Sequence, residues 1–413
     1  MSEIPFLPVP HQLPGANIKV VGVGGAGCNA INRMIESGVG GVQFIAMNTD
    51  QQSLSTCNAH VKLHLGPESS RGLGAGGNAE RGQSAAEESR DEILALLQGA
   101  DMVFIASGMG GGTGTGASPV IANCATEIGA LTVAVVLTPF AWEGRGKAER
   151  ALSGLGNLRQ TSDTVIVVSN ERLRNFCDSR VTMKEAFRVA DSVLIQGVQG
   201  IADLILRPGI INADFADVKA VLENGGEALI GTGTGRGEEG IMDALKKALA
   251  CPLLERAQGG AASSVMLSIT ADWERMELSM VETAMNYLQE HYSHRPDIKP
   301  CTVEAPEMED RVRVTVLASG FDQDGELEME RRSSLNLGAT PHGVISGGVA
   351  VGQPLPPNVI SGRVYGDPAE QQNPTPTRLL PQAPTPSGEV MGYADDLHVP
   401  AIIRLSQGRL PIE

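Results

Sequence analysis

Residues 110–116 read Gly-Gly-Gly-Thr-Gly-Thr-Gly, a composition suited to binding an anion. Glycines let backbone N–H groups approach an anion closely, and threonine hydroxyls add hydrogen-bond donors or a metal contact. The apolar run 102–106 before this stretch predicts a buried strand, and residues 117–122 after it predict a helix with Pro119 near its first turn. Because a helix dipole favours negative charge at its N-terminus, this order of elements predicts an anion-binding loop. The alternative is a flexible glycine linker.

Gly22, Gly24 and Gly27 form a second motif, G-x-G-x-x-G, between a predicted strand that begins at Ile18 and a predicted helix. That context is typical of a dinucleotide-binding turn. Asp50, at the end of the next predicted strand, stands where nicotinamide-binding folds place a ribose ligand. Taken alone, this part of the chain is equally compatible with an NAD-dependent oxidoreductase, because a single motif of this kind has low specificity.

A third glycine-rich loop, residues 71–80, precedes a predicted polar helix. Three glycine loops at successive strand ends exceed what a dinucleotide requires. They favour a nucleotide polyphosphate that lies along the carboxyl edge of a parallel sheet. The sequence contains no G-x-x-x-x-G-K-[ST] motif, which excludes an ordinary P-loop NTPase.

Several polar residues near predicted element ends have both a binding and a structural interpretation. Glu143 could accept hydrogen bonds from ribose and Lys147 could contact phosphate, or both could be solvated charges of a capping turn. Asn170 could pair with a base edge or form a turn. Phe187 and Asp191, four residues apart on a predicted long helix, suit a stacking ring and a carboxylate for guanine. Spacing alone favours a core Phe beside a surface Asp.

The second half of the chain predicts a separate α/β unit. Asp214 and Asp217 stand at the start of a predicted helix, where acids usually cap; facing a phosphate, they could instead orient a water or a metal. The repeat 231–235 imitates the phosphate loop, but Glu238 and Glu239 follow it and would repel phosphate. We therefore expect that repeat not to bind a nucleotide.

Composition limits the classes of function. The chain has 413 residues, 42% of them hydrophobic, and six scattered cysteines without a Cys-x-x-Cys pair, so we expect a cytoplasmic protein with free thiols. The net charge of −16 argues against nucleic-acid binding and would repel anionic lipid. No signal peptide is recognisable and no apolar run looks long enough to span a bilayer. We expect no direct membrane insertion, so membrane association would need a partner protein.

The C-terminal part changes composition at about Asp322. Residues 322–392 are rich in Pro, Gly, Gln, Ser and Thr, which predicts a disordered linker. Apolar character returns at Leu397–Leu405, and an apolar peptide at the end of a disordered tether is typical of a docking motif.

Taken together, these segments resemble the tubulin/FtsZ family of cell-division GTPases over about residues 17–322 and again in the tail. Residues 110–116 match the family signature G-G-G-T-G-T-G, and segments 18–34, 71–80 and 139–147 match its other nucleotide segments in order, as do residues 187–194. Residues 212–217 match the loop N-x-D-F-A-D that inserts into the next subunit's nucleotide site. The tail peptide is similar to the one that binds membrane tethers and regulators.

The resemblance implies roles for the matching residues. The first and central loops would hold the phosphates of GTP or GDP, residues 75–77 would close over the terminal phosphate, Glu143 would bind ribose, and four further side chains would surround guanine. The implied nucleotide-binding residues are Gly24, Gly25, Ala26, Gly27, Cys28, Asn29, Ala75, Gly76, Gly77, Gly112, Thr113, Gly114, Glu143, Lys147, Asn170, Phe187 and Asp191. Asp214 and Asp217 would position the attacking water over a neighbour's GTP, aided by Asn212 and Mg²⁺. No metal ligand is assigned.

The implied function is a self-assembling GTPase whose head-to-tail filaments form the division ring at midcell and recruit division proteins through the tail peptide. A non-hydrolysing structural paralogue is the alternative within the family. The implied fold is α/β: a Rossmann-like parallel-sheet GTPase domain, a central core helix, a smaller α/β C-terminal domain and a disordered tail. The expected boundaries are a disordered segment at 1–16, the GTP-binding domain at 17–183, the core helix at 184–207, the GTPase-activation domain at 208–322, the linker at 323–392 and the docking peptide at 393–413.

The chain departs from the family's usual residues at Cys28, Ala79, Leu137 and Lys147. Lys147 keeps the charge of the usual Arg but loses its bidentate geometry toward phosphate. We expect each departure to weaken nucleotide affinity modestly. The tail also differs, at His398 and Ile402, which bears on the identity of its partners.

Overall fold

The structure is a computed structural model that describes residues 15–175, 181–237, 239–251, 254, 262–292 and 296–321. Its strands are β1 (Ile18–Val23), β2 (Gln43–Asn48), β3 (Val61–His64), β4 (Met102–Gly108), β5 (Leu131–Thr138), β6 (Thr164–Ser169), β7 (Gly226–Arg236), β8 (Ser264–Ala271), β9 (Asp297–Glu304) and β10 (Arg311–Ser319). Its helices are α1 (Gly24–Glu36), α2 (Gln51–Ser55), α3 (Pro67–Ser70), α4 (Ala79–Glu88), α5 (Arg90–Leu97), α6 (Thr113–Glu127), α7 (Arg145–Thr161), α8 (Asn170–Asn175), α9 (Met183–Leu206), α10 (Phe215–Leu222), α11 (Gly240–Leu249) and α12 (Leu278–His291).

These strands form one mixed sheet in the order β3-β2-β1-β4-β5-β6-β7-β10-β8-β9. The strands from β3 to β7 in that order pair in parallel. β1 is buried along its whole length, as a parallel strand covered by helices on both faces requires. Because β2 and β3 lie on one side of β1 and β4–β6 on the other, the crevice at the carboxyl ends of β1 and β4 is a topological switch point, where such sheets bind ligands. The predicted Rossmann-like α/β fold is confirmed.

Strand β7 belongs to both halves of the sheet. Residues 226–228 pair in parallel with β6, and residues 229–236 pair antiparallel with β10. The glycine–threonine repeat 231–235 lies inside this strand and is not a loop. A Cβ on Gly233 would overlap the carbonyl oxygen of Ala244, so glycine lets helix α11 pack directly against the strand.

Helix α9 is the predicted core helix. It begins with a capping box between Thr182 and Glu185, and its apolar face shares one hydrophobic core with β5, β8 and β10. In length and composition it is apolar enough to cross a membrane, so the expectation that no apolar run is long enough is wrong. Burial explains this composition, because 61% of its apolar window is buried inside the protein and a helix enclosed by packed strands is apolar on most sides.

The last part of the described chain adds a strand that the sequence did not predict. Strand β9 pairs in parallel with β8 and forms the edge of the sheet. It contains Pro300 and two charged residues in its first three positions, a composition that an edge strand tolerates and that masks its periodicity. The expected N-terminal segment (through residue 14), linker and docking peptide lie outside the described residues.

Candidate functional site

The N-terminus of helix α1 follows strand β1 without an intervening loop. Gly24, its first residue, has a φ of 71°, and a Cβ built there would lie 3.1 Å from the backbone nitrogen of Gly114. Both the backbone angle and the close approach therefore require glycine. Gly25 is exposed, and a Cβ built on it would meet no atom within 4 Å. No acidic residue lies in the first turn, so the positive end of the helix dipole keeps its full attraction for an anion.

The central glycine loop connects β4 to helix α6. The helix already begins at Thr113, and Pro119 is its seventh residue, so the predicted helix start near the proline is wrong. Tertiary contacts explain the earlier start despite the low helix propensity of glycine. The N–H of Gly110 donates to the Thr115 hydroxyl (2.8 Å), and Arg150 Nε donates to the carbonyl of Gly110 (3.1 Å). The loop is thus held in a fixed conformation.

The third glycine loop lies against the central one. A Cβ on Gly112 would lie 2.7 Å from the Cβ of Ala75, and Gly76 and Gly77 have positive φ and open space beside them. The Thr113 hydroxyl lies 2.6 Å from that of Thr49 at the end of β2. The three glycine loops therefore meet around the N-termini of α1 and α6. This cradle, defined by residues 24–28, 75–77 and 110–114, offers backbone N–H groups at two helix dipoles.

Cys28, the last cradle residue on helix α1, is followed by Asn29. The Cys28 thiol is buried and accepts a hydrogen bond from Asn48 Nδ2 (3.8 Å), while the Cys57 thiol donates to the Cys28 carbonyl (3.6 Å). Hydrogen bonding to Cys57 and burial raise the pKa of the Cys28 thiol, which therefore stays protonated. The Cys28 side chain is buried in the hydrophobic core, whereas Asn29 is exposed.

Three of the predicted guanine-binding residues lie near the carboxyl ends of the central strands or on helix α9. Asn170 follows β6 directly; its side chain is 5% exposed, and its Oδ1 has no hydrogen-bond partner. Phe187 is 37% exposed and meets Phe140 edge-to-face at 5.5 Å. Asp191 is only 7% exposed. The structural interpretation expected a buried Phe187 and an exposed Asp191, and the structure shows the opposite.

Arg33 is a site residue that the sequence analysis missed. Its Nε lies 3.1 Å from Asp191 Oδ2. Burial raises the pKa of Asp191 to about 6, and the nearby Arg33 charge limits that rise. The sequence feature that could have indicated Arg33 is its position four residues after Asn29, because residues at that spacing lie on one face of helix α1.

Glu143 and Lys147 pair with each other. Glu143 Oε1 accepts the N–H of Phe140 (2.9 Å), and its Oε2 accepts from Lys147 Nζ (2.9 Å). Glu143 therefore caps a turn, as the structural alternative in the sequence analysis expected. Lys147 is exposed, so ligand binding can compete for its ammonium group.

The acidic loop, residues 208–217, is attached to the edge strand β9. Asp214 caps helix α10, with Oδ1 accepting the N–H of Asp217 at 2.8 Å. Asn212 Oδ1 accepts the N–H of Gly209, a local turn contact. Lys299 Nζ of β9 lies 2.9 Å from Asp217 Oδ1, a contact that the sequence analysis missed. The loop is therefore preformed, with both acids at its end.

The acidic loop and the predicted guanine-binding residue Asp191 lie toward opposite ends of helix α9. From Asp191 to the end of helix α9 at Leu206 the axis rises about 22 Å, and the loop follows that end. Within one chain, Asp191 and the acidic loop are therefore separated by more than half the length of α9.

Metal binding depends on which side chains lie close enough together to act as ligands. Among the residues that the structure describes, no group of three or more His, Cys, Asp or Glu side chains is placed to hold a metal ion.

Comparisons with known proteins agree with this geometry. Residues 17–178 match the Tubulin/FtsZ family, GTPase domain, and residues 226–322 match the FtsZ family, C-terminal domain. An FtsZ dimer from M. jannaschii is 42% identical, with a TM-score of 0.69, over 74% of this chain and 88% of that one. CetZ2 from Haloferax volcanii, solved as a GTPgS-bound protofilament, shares the fold at 21% identity and a TM-score of 0.64, over 78% of this chain and 99% of that one.

The two matched regions contain the cradle and the strands that hold the acidic loop in place. The GTPase-domain match implies that the chain binds GTP and GDP and supports the GTPase interpretation over the NAD-dependent alternative. The chain belongs to the tubulin/FtsZ family and is a tubulin-like, GTP-hydrolysing protein of the cytoskeleton.

Proposed function

We propose that the protein forms head-to-tail filaments in which the acidic loop of one subunit completes the GTP site of the next. The observation that carries this proposal is the separation of Asp191 from the acidic loop, which lie toward opposite ends of helix α9. An interface that joins two different surfaces generates an open filament when its rotation does not close into a ring. Hydrolysis then depends on assembly, since positioning and electrostatics do most of the work in phosphoryl transfer.

In the proposed complex the cradle binds the phosphates through backbone N–H groups and the Thr113 hydroxyl. Asn170 Oδ1, buried without a partner, supports a ligand donor at that position. The exposed Phe187 ring stacks on guanine, and Asp191 accepts two of its N–H groups. Glu143 binds ribose and Lys147 contacts phosphate, after their ion pair opens.

The acidic loop supplies the remaining groups. Asp214 and Asp217 of one subunit orient the attacking water over the terminal phosphate of its neighbour, and Asn212 supports the loop turn beside them. Mg²⁺ bound to the phosphates neutralises part of their charge. The protein's own contribution is to hold these carboxylates in place before assembly.

Exposed apolar side chains support contact between these two faces. Trp142 and Phe187 both contact Phe140 near the guanine face, and both are exposed. Ile210 and Ile211 are exposed on the acidic loop. Solved relatives that form a dimer or a protofilament also support self-association of this chain.

The cellular role proposed from the FtsZ relatives is the bacterial cell-division ring, assembled in the cytoplasm at midcell. Leu397–Leu405 would bind membrane tethers and regulatory division proteins, with no direct membrane insertion and no nucleic acid as partner. The net charge of −16 supports the last two points. The test in cells is localisation of a labelled protein with and without residues 393–413; diffuse label in both would contradict the role.

The filament proposal is tested by GTPase rate per subunit against protein concentration, recorded with light scattering. We expect the rate to rise above a critical concentration, together with GTP-dependent scattering. A rate that is constant with concentration would contradict hydrolysis between subunits. Assembly without hydrolysis would identify the non-hydrolysing paralogue instead.

Asp191→Asn is expected to stabilise the unliganded protein and to change its nucleotide preference. The pKa of Asp191 is about 6 in the folded protein, higher than in the unfolded chain. The contribution of Asp191 to the free energy of unfolding therefore decreases as the pH rises from about 4 to about 6, and it stays lower above pH 6. Removing the charge should therefore add about 3 kcal/mol to the free energy of unfolding at pH 7.5. The side-chain amide of Asn donates a hydrogen bond where the Asp carboxylate accepts one from guanine. We therefore expect the variant to bind xanthosine triphosphate in preference to GTP by about tenfold.

The measurements are thermal unfolding without nucleotide and competition between the two triphosphates. Asp203→Asn is the matched control, because burial also raises the pKa of Asp203 on the same helix. That control should gain stability without changing nucleotide preference. An unchanged preference in Asp191→Asn would rule out the proposed guanine contact.

A further inference from the structure

We propose that Lys299 is a positioning residue for hydrolysis in the neighbouring subunit: it orients Asp217 and offsets the negative charge of the acidic loop. This inference rests on the proposed function. The ammonium group of Lys299 lies 2.9 Å from Asp217 Oδ1 and acts on the site through that carboxylate.

The first argument is geometric. Asp217 lies in the first turn of α10, and its backbone N–H is already bound by Asp214, so only its side-chain torsions are free. The hydrogen bond from Lys299 occupies one carboxylate oxygen and restricts those torsions. Positioning of this kind strongly affects rate, because a displacement of about 1 Å can lower it about 100-fold.

The second argument concerns the attachment of the loop. Thr302 N–H donates to the carbonyl of Ile211 (2.9 Å), the Thr302 hydroxyl accepts the N–H of Ile211 (2.7 Å), and Glu304 N–H donates to the carbonyl of Pro208 (2.9 Å). The acidic loop is therefore bound to β9, the strand that carries Lys299. Strand, loop and ammonium group form one preassembled unit.

The third argument is electrostatic. Head-to-tail contact brings two carboxylates toward a triphosphate, and like charges repel strongly at short range. Lys299 contributes a positive charge next to Asp217, with Asp214 and Asp297 also close enough to influence it. The hydrogen bond between the pair lowers the pKa of Asp217 and raises that of Lys299, so both stay charged at neutral pH.

A merely structural role is distinguishable from this one. The side chains of Lys299 and Asp217 are 29% and 43% exposed, and ion pairs at that exposure add little to stability. Lys247 and Asp243 on helix α11 form a matched pair, 2.6 Å apart with side chains 26% and 48% exposed. Removing either ammonium group should affect folding similarly, but only Lys299 contacts an acid of the loop.

The test compares Lys299→Met, Lys299→Arg and Lys247→Met with the wild type in full-length protein. We expect Lys299→Met to lower the GTPase rate per subunit at saturating GTP about tenfold and to raise the critical concentration. GTP affinity of the unassembled protein should stay unchanged. Lys299→Arg should recover most of the rate, because Arg keeps the charge, and Lys247→Met should match the wild type.

The outcomes separate this inference from the filament proposal. If the wild-type rate rises with concentration and Lys299→Met behaves identically, only the role of Lys299 is overturned. A loss of rate in Lys299→Met that Lys299→Arg does not recover would also overturn it. If the wild-type rate is constant with concentration, both proposals fail.

Discussion

Asp214→Asn is expected to lower the GTP hydrolysis rate about 100-fold while leaving folding and GTP binding intact. Asp214 caps helix α10 through Oδ1, and Asn caps helices equally well, so the substitution removes charge but preserves the cap. The rate should fall because a carboxylate that orients the attacking water is lost. The measurements are GTPase rate above the critical concentration, GTP affinity and thermal unfolding.

Asp214→Ala is the informative comparison, because it also removes the cap and should cost about 1 kcal/mol of stability. Equal rates in the Asn and Ala variants, together with lower stability in Ala only, would separate catalysis from capping. If Asp214→Asn hydrolysed GTP at the wild-type rate, Asp214 would serve only as a cap.

Gly25→Asp is expected to lower GTP affinity about 200-fold and to leave the protein at least as stable. Gly25 is exposed in the first turn of α1, and a Cβ there meets no atom within 4 Å, so the new side chain fits. A carboxylate about 5 Å from a phosphate charge costs about 3 kcal/mol at an effective dielectric constant of 20. The same carboxylate favours the helix dipole by about 0.5 kcal/mol. Nucleotide titration and thermal unfolding measure the two effects.

Gly25→Asn is the matched control, since it has the same size without the charge. It should retain much more affinity than Gly25→Asp; equal losses would mean that bulk, and not charge, blocks the cradle. Mixing Gly25→Asp with Asp214→Asn provides a further check. The first variant keeps a wild-type acidic loop and the second keeps a wild-type cradle, so the mixture should regain hydrolysis that neither variant shows alone.

The parts of the site that local sequence determines could be predicted. Each glycine loop stands between a strand and a helix N-terminus, and neighbours in sequence are sufficient to indicate that order. Spacing also placed Phe187 and Asp191 on one face of α9. It could not indicate which of them is buried, because that depends on Arg33 and Phe140, which come from other elements.

The parts that depend on distant contacts could not be predicted. Lys299 reaches Asp217 across 82 positions of sequence, and neither residue indicates the other. Strand β9 was missed because an edge strand with a proline lacks the apolar alternation of a buried one. The start of α6 was misplaced because tertiary contacts hold the preceding loop: Gly110 donates its N–H to the Thr115 hydroxyl and accepts a hydrogen bond from Arg150 at its carbonyl.

Helix α9 has a mechanical consequence in the proposed filament. Its 24 residues span about 36 Å, with the guanine face near one end and the acidic loop just beyond the other. Each subunit of the proposed filament therefore contributes a rigid spacer of fixed length between its guanine-binding residues and its acidic loop. Longitudinal tension would pass along its axis directly from one bound nucleotide to the next.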